Sequence, residues 1–293
     1  GVMSNPRVVA IIQARMGSTR LPGKSMMNLA GTPLLNRLIL QLKGATSLDE
    51  VVIATSENPD DDIIEQYAKE YGVAVVRGSQ QDVLSRYVLA ADETNAKIIV
   101  RLTGDCPLHS PDTVDEVVDA FLKADVDYAS NTNPYTRPEG QDVEVFTREI
   151  LNRANDSAED GPDREHVTPW IRRTFGVKVL NYMHESPHLK SAHWSVDHLD
   201  DLEFASAVWS CLDKRGEGPF KFEEIMSAMN ESKAVQGESI INEGYYISLY
   251  NKADSEPAKP LVLEKSFSWL ERSDKVIPGG AQTYSKSWRH HIR

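Results

Sequence analysis

Residues 8–24 read Val8-Val9-Ala10-Ile11-Ile12-Gln13-Ala14-Arg15-Met16-Gly17-Ser18-Thr19-Arg20-Leu21-Pro22-Gly23-Lys24. The apolar run 8–12 predicts a buried strand of a parallel sheet. The residues after it supply two glycines, two hydroxyl groups, two arginines and a lysine. Glycines let backbone N–H groups approach phosphate oxygens, and cations neutralise phosphate charge. The stretch therefore predicts a strand that leads into a phosphate-binding loop. The alternative is a basic surface turn after an edge strand.

Two common nucleotide-binding motifs do not fit this loop. A P-loop has four residues between its first glycine and Gly-Lys, whereas Gly17 and Gly23 enclose five, including Pro22, which has no N–H. The G-x-G-x-x-G pattern of dinucleotide-binding folds is also absent from the sequence. The predicted phosphate-binding loop is therefore neither a P-loop nor a dinucleotide-binding loop.

The chain outward from this loop alternates between strand-like and helix-like segments as far as residue 130. Predicted strands cover 8–12, 51–55, 73–76, 97–102 and 126–130. Predicted helices cover 33–42, a segment opened by Asn58-Pro59-Asp60, 82–93 and 111–122. This order predicts an α/β fold with a mainly parallel sheet and helices on both faces. Ligands of such sheets bind beyond the carboxyl ends of the strands, where the loop lies.

The segment from 131 to 240 is less regular. Predicted strands there cover 142–146, 177–182 and 193–196, and predicted helices cover 148–154, 164–174, 199–212 and 222–229. The strand–helix rhythm is interrupted near 131–146. We expect an inserted region at that point that binds substrate and forms a dimer.

Composition limits the classes of protein that the chain can represent. It has 293 residues, a net charge of -12 and 40% hydrophobic residues, which suits a soluble globular protein. The acidic excess argues against binding to long nucleic acid, although a single nucleotide needs only a local positive site. No apolar run is long enough for a membrane helix, and no signal peptide is evident, so we expect a cytoplasmic protein with no membrane partner.

The opening loop resembles, at nearly every position, the N-terminal signature of CMP-KDO synthetases and SpsF-type spore-coat polysaccharide cytidylyltransferases. That family has a Rossmann-like nucleotidyltransferase (nucleotide-diphospho-sugar transferase) fold, and the resemblance spans roughly residues 7–240. It implies that the loop wraps the triphosphate of CTP, with Arg15 and Lys24 as catalytic cations. The implied nucleotide-binding residues of the loop are Gln13, Ala14, Arg15, Gly17, Ser18, Thr19, Arg20 and Lys24.

Two further segments resemble nucleotide-side motifs of the same family. Residues 78–86 resemble the loop that meets the cytosine base, which implies binding by Ser79 and by Arg86 turned inward. Residues 101–107 span the end of the fourth predicted strand, and Thr103 and Gly104 are assigned to the nucleotide as well.

Asp105 is the first candidate ligand for a metal ion. It follows a strand and is bracketed by Gly104 and Pro107, which place its carboxylate at the sheet edge, near phosphate. Capping of the next helix is the competing role, but Ser110 is better placed for it. Mg²⁺ takes one or two carboxylates together with phosphate oxygens and water, so a second acid should converge on Asp105. We assign Asp105 a catalytic role through this ion.

Asp197 is the expected second ligand. In the resembling family the equivalent segment usually reads Val-Asp-Thr-Pro and its Asp binds the metal; here His198-Leu199 replace Thr-Pro. The competing role for Asp197, and for Asp200, is to cap the helix that follows.

The expected substrate side lies in the less regular segment. Residues 139–146 and 164–170 resemble substrate motifs of the family. Gln141, Asp142, Arg164 and His166 offer acceptors for hydroxyl groups and cations for a carboxylate or phosphate. The competing interpretation of Arg164-Glu165-His166 is a solvated helix face.

The C-terminal part differs in composition. Residues 241–260 are typical of an interdomain linker. Within 261–293, the run Pro278-Gly279-Gly280-Ala281-Gln282-Thr283-Tyr284-Ser285-Lys286 resembles the opening of glutamate-1-semialdehyde aminotransferase-like enzymes. This implies the truncated start of a fused aminotransferase domain; the alternative is an unrelated tail.

Together these features predict a Mg²⁺-dependent cytidylyltransferase with a domain at 7–240. It would activate an acid or amino sugar as its CMP derivative from CTP, release pyrophosphate, serve surface polysaccharide synthesis and act as a homodimer. One alternative is a sugar 1-phosphate nucleotidyltransferase of other base specificity. The other is a non-catalytic nucleotide-sensing domain of an aminotransferase fusion.

Overall fold

A computed structural model describes residues 4–159, 161–185 and 193–236, with the side chains of 233–236 left out. The predicted linker at 241–260 and the aminotransferase-like segment at 261–293 lie outside these residues. The strands are β1 Val8–Gln13, β2 Asn28–Leu29, β3 Thr32–Pro33, β4 Glu50–Ser56, β5 Ala74–Gly78, β6 Ile98–Thr103, β7 Tyr128–Ser130, β8 Glu144–Thr147 and β9 Val179–Asn181. The helices are α1 Leu34–Leu42, α2 Asp62–Tyr71, α3 Val83–Thr94, α4 Pro111–Lys123, α5 Arg148–Ser157, α6 Gly161–His166, α7 Pro169–Arg173, α8 Leu199–Asp213 and α9 Phe222–Gln236.

The central sheet has seven strands in the order β5-β4-β1-β6-β8-β7-β9. β1 pairs in parallel with β4 and β6, β4 with β5, and β7 with β9, whereas β8 runs antiparallel to both of its neighbours. The mainly parallel sheet predicted from the sequence is therefore confirmed. Gln13, at the end of β1, is opposite Ala54 on one side and Thr103 on the other, so the loops after β1 and β6 leave the sheet side by side.

Both faces of the sheet are covered, because β1 is apolar on each side. Val8, Ala10 and Ile12 belong to one core cluster, together with residues of α1, α2, α4, α8 and α9. Val9 and Ile11 belong to a second cluster with residues of α3, α5 and α7. Each fully buried aliphatic side chain of this kind contributes about 1.5 to 3 kcal/mol to folding. The strand beneath the loop is thus fixed from both faces.

The predicted helix 164–174 is wrong as one continuous helix, because α6 and α7 are separated at Val167 and Thr168. Val167 has φ 70°, outside the helical region, and Pro169 begins α7. Proline has no N–H to donate and disfavours a helical residue before it. The predicted strand 193–196 is also absent from the described residues: His193 forms an isolated bridge to Glu139.

The start of α4 agrees with the sequence pattern. Ser110 occupies the N-cap position and Pro111 the first turn, as expected, but the Ser110 side chain makes no capping hydrogen bond. None of the described helices has the length and apolarity needed to cross a membrane.

Candidate active site

The loop after β1 is anchored by two buried apolar side chains. Met16 and Leu21 are 3% and 4% exposed, so the residues between them form a short arch above the core. The N–H of Gly23 closes the arch by donating to the carbonyl of Met16 at 2.8 Å. Gly23 has φ 75°, a conformation that favours glycine, and it leads into a 3-10 helix at Lys24–Met26. The arch therefore places Lys24 back beside the strand.

Asp61 fixes the arch from below. Its buried carboxylate accepts a hydrogen bond from the N–H of Met16 at 2.7 Å and another from the hydroxyl of Ser56. Nothing in the sequence distinguishes Asp61 from its neighbours Asp60 and Asp62, so this residue was not anticipated. Its role depends on β4 ending beside β1.

The arch presents unpaired donors to a cavity of about 380 Å³. Within the described part of the chain, the N–H groups of Gly17, Ser18 and Thr19 donate to no protein acceptor. Such a row of backbone N–H groups suits phosphate oxygens. The cavity is lined by Gln13, Ala14, Arg15, Gly17, Ser18, Thr19, Lys24, Ser25, Thr103, Gly104 and Asp105. The predicted nucleotide residues around β1 and β6 are thus brought together.

Gly104 is required by the close approach of the two loops. A Cβ atom at this position would lie 2.9 Å from the Cβ of Ala14 and 3.2 Å from the carbonyl oxygen of Gln13. The N–H of Gly104 donates to that same carbonyl at 2.8 Å. Glycine here lets the Asp105 loop pack against the arch.

Lys24 lies between the two predicted metal ligands. Its Nζ is 3.3 Å from Oδ2 of Asp105, 3.4 Å from Oδ1 of Asp197 and 2.9 Å from the carbonyl oxygen of Val196. Burial lowers the pKa of Lys24, but Asp105 and Asp197 outweigh it, so the net pKa is raised above its ordinary value. The ammonium therefore stays charged, and the two acids, 92 residues apart in sequence, converge as predicted.

His193 holds Asp197 from the opposite side. His193 Nε2 is 3.1 Å from Oδ2 of Asp197, and Nδ1 is 3.0 Å from Oε2 of Glu139. Burial lowers the pKa of His193, yet the hydrogen bonds to Asp197 and Glu139 raise it to about 10. The hydrogen bond from His193, with help from Lys24, lowers the pKa of Asp197 against the effect of burial. Both side chains are therefore charged at neutral pH.

Two sets of side chains could hold a cation here. His193, Asp197 and Asp201 form a compact cluster of ligand-type atoms. However, Asp201 Oδ2 already accepts the N–H groups of Asp197 and His198, as part of a capping box at α8, and a protonated imidazole cannot bind a metal. Asp105 and Asp197 fit better, since both carboxylates already face one cation beside the phosphate cavity. That donor set suits Mg²⁺.

The two arginines of the arch differ in position and in hydrogen-bond partner. Arg15 lines the cavity and donates from Nη2 to the carbonyl of Gly17 at 3.4 Å. Arg20 lies on the outer side, with Nη1 3.3 Å from Nε2 of His198. His198, which replaces the threonine of the resembling family, thus connects the arch to the segment that carries Asp197.

Arg86 is turned inward as predicted, but it lies under the loop at 79–80. Its fully buried guanidinium donates to the carbonyl of Ser79 at 2.9 and 3.0 Å and to that of Gln80 at 3.0 Å. The Ser79 hydroxyl accepts from the N–H of Asp82 at 3.0 Å. Both residues shape this loop, and its contact with a base stays a prediction.

A second cavity of about 340 Å³ adjoins the first, and Thr103 lines both. It is lined by Arg101, Leu102, Thr103, Thr132, Tyr135, Asp142, Glu144, His166, Thr168, Pro169 and Arg172. Of the four predicted substrate residues, Asp142 and His166 lie in this wall. Arg172 and Tyr135, which no motif had suggested, lie there too.

The polar atoms of the other two predicted substrate residues contact protein groups, and their role in substrate binding stays a prediction. Gln141 is 1% exposed, and its amide accepts from the N–H and hydroxyl of Ser110 and donates to the carbonyl of Leu108. Arg164 binds both carboxylate oxygens of Asp82 at 2.9 Å and donates to the carbonyl of Asn155 at 2.7 Å. Both side chains are therefore held in place by hydrogen bonds within the protein.

Comparison with known proteins supports this picture of the fold. The profile of the cytidylyltransferase family matches residues 9–227. The solved structure of a cytidylyltransferase from Leptospira borgpetersenii is 32% identical with a TM-score of 0.73, and the match covers 80% of this chain and 99% of that one. The Bacillus subtilis spore coat polysaccharide biosynthesis protein SpsF is 31% identical over 233 residues, 77% of this chain and 95% of SpsF. A 3-deoxy-manno-octulosonate cytidylyltransferase from Coxiella burnetii is 31% identical over 190 residues, 63% of this chain and 71% of that protein.

Proposed function

The chain belongs to the cytidylyltransferase family, and on this premise we propose that it transfers a cytidylyl group from CTP to a hydroxyl group of an acid or amino sugar. The products are a CMP-sugar and pyrophosphate. The observation that carries the proposal is the position of Lys24. Its ammonium lies between Asp105 and Asp197, in a cavity whose other wall is the row of unpaired N–H groups at 17–19.

The chemistry follows from these groups. An acceptor oxygen attacks the α-phosphorus of CTP, a new O–P bond forms, and the bond from the α-phosphorus to the bridging oxygen breaks as pyrophosphate leaves. Negative charge grows on the leaving group. The arch N–H groups, Arg15 and Lys24 neutralise that charge, and preorganised neutralisation of this kind supplies a large part of such catalysis. Asp105 and Asp197 would hold Mg²⁺, which supplies further charge neutralisation when bound.

The acceptor belongs in the second cavity. Its wall combines the cation of Arg172, the imidazole of His166 and the carboxylate of Asp142 with several hydroxyl groups. That mixture suits a polyhydroxylated molecule with one charged group. The names of the SpsF and 3-deoxy-manno-octulosonate relatives support an acid or amino sugar for surface polysaccharide synthesis. Assembly as a homodimer stays a prediction, which sedimentation analysis tests.

Two measurements test the proposal. Calorimetry with CTP, ATP, GTP and UTP in the presence of Mg²⁺ should show a preference for CTP. Pyrophosphate release should then be followed with CTP and a panel of acid sugars, amino sugars and sugar 1-phosphates. Turnover with an acid or amino sugar supports the proposal. Turnover only with a sugar 1-phosphate, or nucleotide binding without turnover on any acceptor, contradicts it.

A further inference from the structure

We propose that Asp142 is the general base of the reaction, and that it takes the proton from the acceptor hydroxyl as its oxygen attacks the α-phosphorus. This inference rests on the proposed function. The acceptor O–H bond breaks, and its proton moves to the Asp142 carboxylate while the acceptor oxygen forms a bond to the α-phosphorus. Pyrophosphate leaves with the electron pair of the bond between the α-phosphorus and the bridging oxygen. The carboxylic acid then returns the proton to water.

The first support is the way in which the carboxylate is held. Oδ2 of Asp142 accepts from the hydroxyl of Tyr135 at 3.0 Å, and Oδ1 accepts from the N–H of Gly140 at 3.2 Å. Its carbonyl oxygen lies 2.9 Å from Nε2 of the buried His109. A carboxylate has about four acceptor positions, so two are left after these contacts. Since Asp142 lines the second cavity, an acceptor hydroxyl there can reach them.

The second support is the location of Asp142 relative to the phosphate cavity. Thr103 lines both cavities, and its hydroxyl lies 3.5 Å from Sγ of Cys106. Burial, the adjacent Asp105 and the Asp142 carboxylate all raise the pKa of the Cys106 thiol. Asp142 lines the same cavity as Thr103, which borders the phosphate cavity as well. An acceptor in the second cavity would meet a nucleotide in the first beside Thr103, on the side of the cavity that Asp142 lines.

The third support is that the other side chains lining the second cavity are less suited than Asp142 to accept a proton. Glu144 is paired with Arg101 at 2.7 Å and accepts from Tyr128, and these partners lower its pKa against the effect of burial. Burial raises the pKa of Tyr135, so its hydroxyl stays protonated. Arg101 and Arg172 are cations without an acceptor position.

The electrostatics of Asp142 suit a base. Burial raises the pKa of Asp142 to about 6, helped by Glu139 and Glu144 and opposed by the hydrogen bonds from Gly140 and Tyr135. A general base works best when its pKa lies just below the operating pH, because it is then ionised and still basic. The imidazole of His166, which is mostly exposed in the same wall, is the competing proton acceptor.

The test is the pH dependence of kcat/KM, with CTP, Mg²⁺ and 3-deoxy-manno-octulosonate or the best acceptor of the panel. The wild-type rate should fall below an apparent pKa near 6. Asp142→Asn should lose about 100-fold or more of kcat/KM at pH 8 and should lack this acid limb. His166→Gln should keep the limb. Tyr135→Phe removes a hydrogen bond that favours the ionised carboxylate, so it should move the limb to higher pH.

Several outcomes would overturn the assignment. The decrease of kcat/KM at low pH could persist in Asp142→Asn, vanish in His166→Gln, or keep its wild-type midpoint in Tyr135→Phe. Any of these results would contradict the role of Asp142. Calorimetric binding of CTP by Asp142→Asn, expected within about threefold of wild type, shows that the variant is folded. If the wild type releases no pyrophosphate with any acceptor, both proposals fail. If it does, and Asp142→Asn is equally active, only the base is wrong.

Discussion

The ammonium nitrogen of Lys24 lies 3.3 Å from Oδ2 of Asp105, across a separation of 81 residues in the chain. This contact joins the end of the arch after β1 to the end of β6. It also balances part of the negative charge that Asp105 and Asp197 bring to the phosphate cavity. Lys24 therefore meets both the expected leaving group and the expected metal ligands.

Lys24→Met should lower kcat/KM for pyrophosphate release by about 100-fold or more, because a preorganised cation at the leaving group is lost. The same change leaves Asp105 and Asp197 without their shared counter-charge. We therefore expect tighter binding of Mn²⁺ to the nucleotide-free protein, measured by calorimetry.

Lys178→Met is the matched control, since Lys178 pairs with the exposed Asp125 at 2.7 Å, outside both cavities. It should leave both quantities near their wild-type values. Full activity of Lys24→Met would remove Lys24 from the mechanism.

Gly104→Ala should destabilise the protein by about 1 to 3 kcal/mol, because the added Cβ overlaps with Ala14 and Gln13. Urea unfolding measures this change. Gly161→Ala is the control: its Cβ would enter open space at the start of α6, and we expect a change within about 0.5 kcal/mol. Equal effects of the two substitutions would show that the two loops are not closely packed.

Arg164→Ala and Arg172→Ala should have opposite consequences. Loss of the Arg164 bonds to Asp82 and Asn155 should cost about 1 to 3 kcal/mol of stability and leave the acceptor KM unchanged. Arg172 is exposed in the second cavity, where we propose that the acceptor binds. Its loss should therefore raise the acceptor KM about tenfold with little change in stability. Steady-state kinetics and urea unfolding distinguish the two roles. A raised KM in Arg164→Ala alone would restore the original substrate assignment.

The raised pKa of Asp142 also predicts a pH dependence of stability. Its pKa is about 6 in the folded protein against an ordinary value of 3.8, so the folded state binds more protons between these values. The contribution of Asp142 to the free energy of unfolding should therefore fall, by about 1 to 3 kcal/mol, as the pH rises through this window. Asp142→Asn should remove that decrease. Asp119→Asn, at an exposed position on α4, should retain it. The measurement is urea unfolding at pH 4.5 and 7.5.

A stability cost of this kind is expected at a functional group rather than at a structural one. A difference in stability between the wild type and Asp142→Asn that does not change over the window would contradict the raised pKa. It would also weaken the case for Asp142 as a base.

Much of the fold could be predicted from local pattern. The apolar run 8–12 predicts a strand because it is buried on both faces, and Pro111 after Ser110 predicts the start of α4. Helix 164–174 was wrong because its apolar spacing continues across Val167, while the backbone there leaves the helical region. The spacing of apolar residues predicts which face of a helix is buried, but it does not predict an interruption of the helical backbone.

By itself the sequence determined the strand, the phosphate-type loop after it and the position of Asp105 at the same sheet edge, since strands that end at one sheet edge bring their loops together. Only the tertiary structure decided which polar side chains are available to a ligand. Hydrogen bonds to protein groups occupy the side chains of Gln141, Arg164 and Asp61. By contrast, Asp142 and Arg172 line a cavity. The physical reason is that a polar group needs a partner wherever it is buried, and sequence spacing alone does not tell whether the partner is protein or substrate.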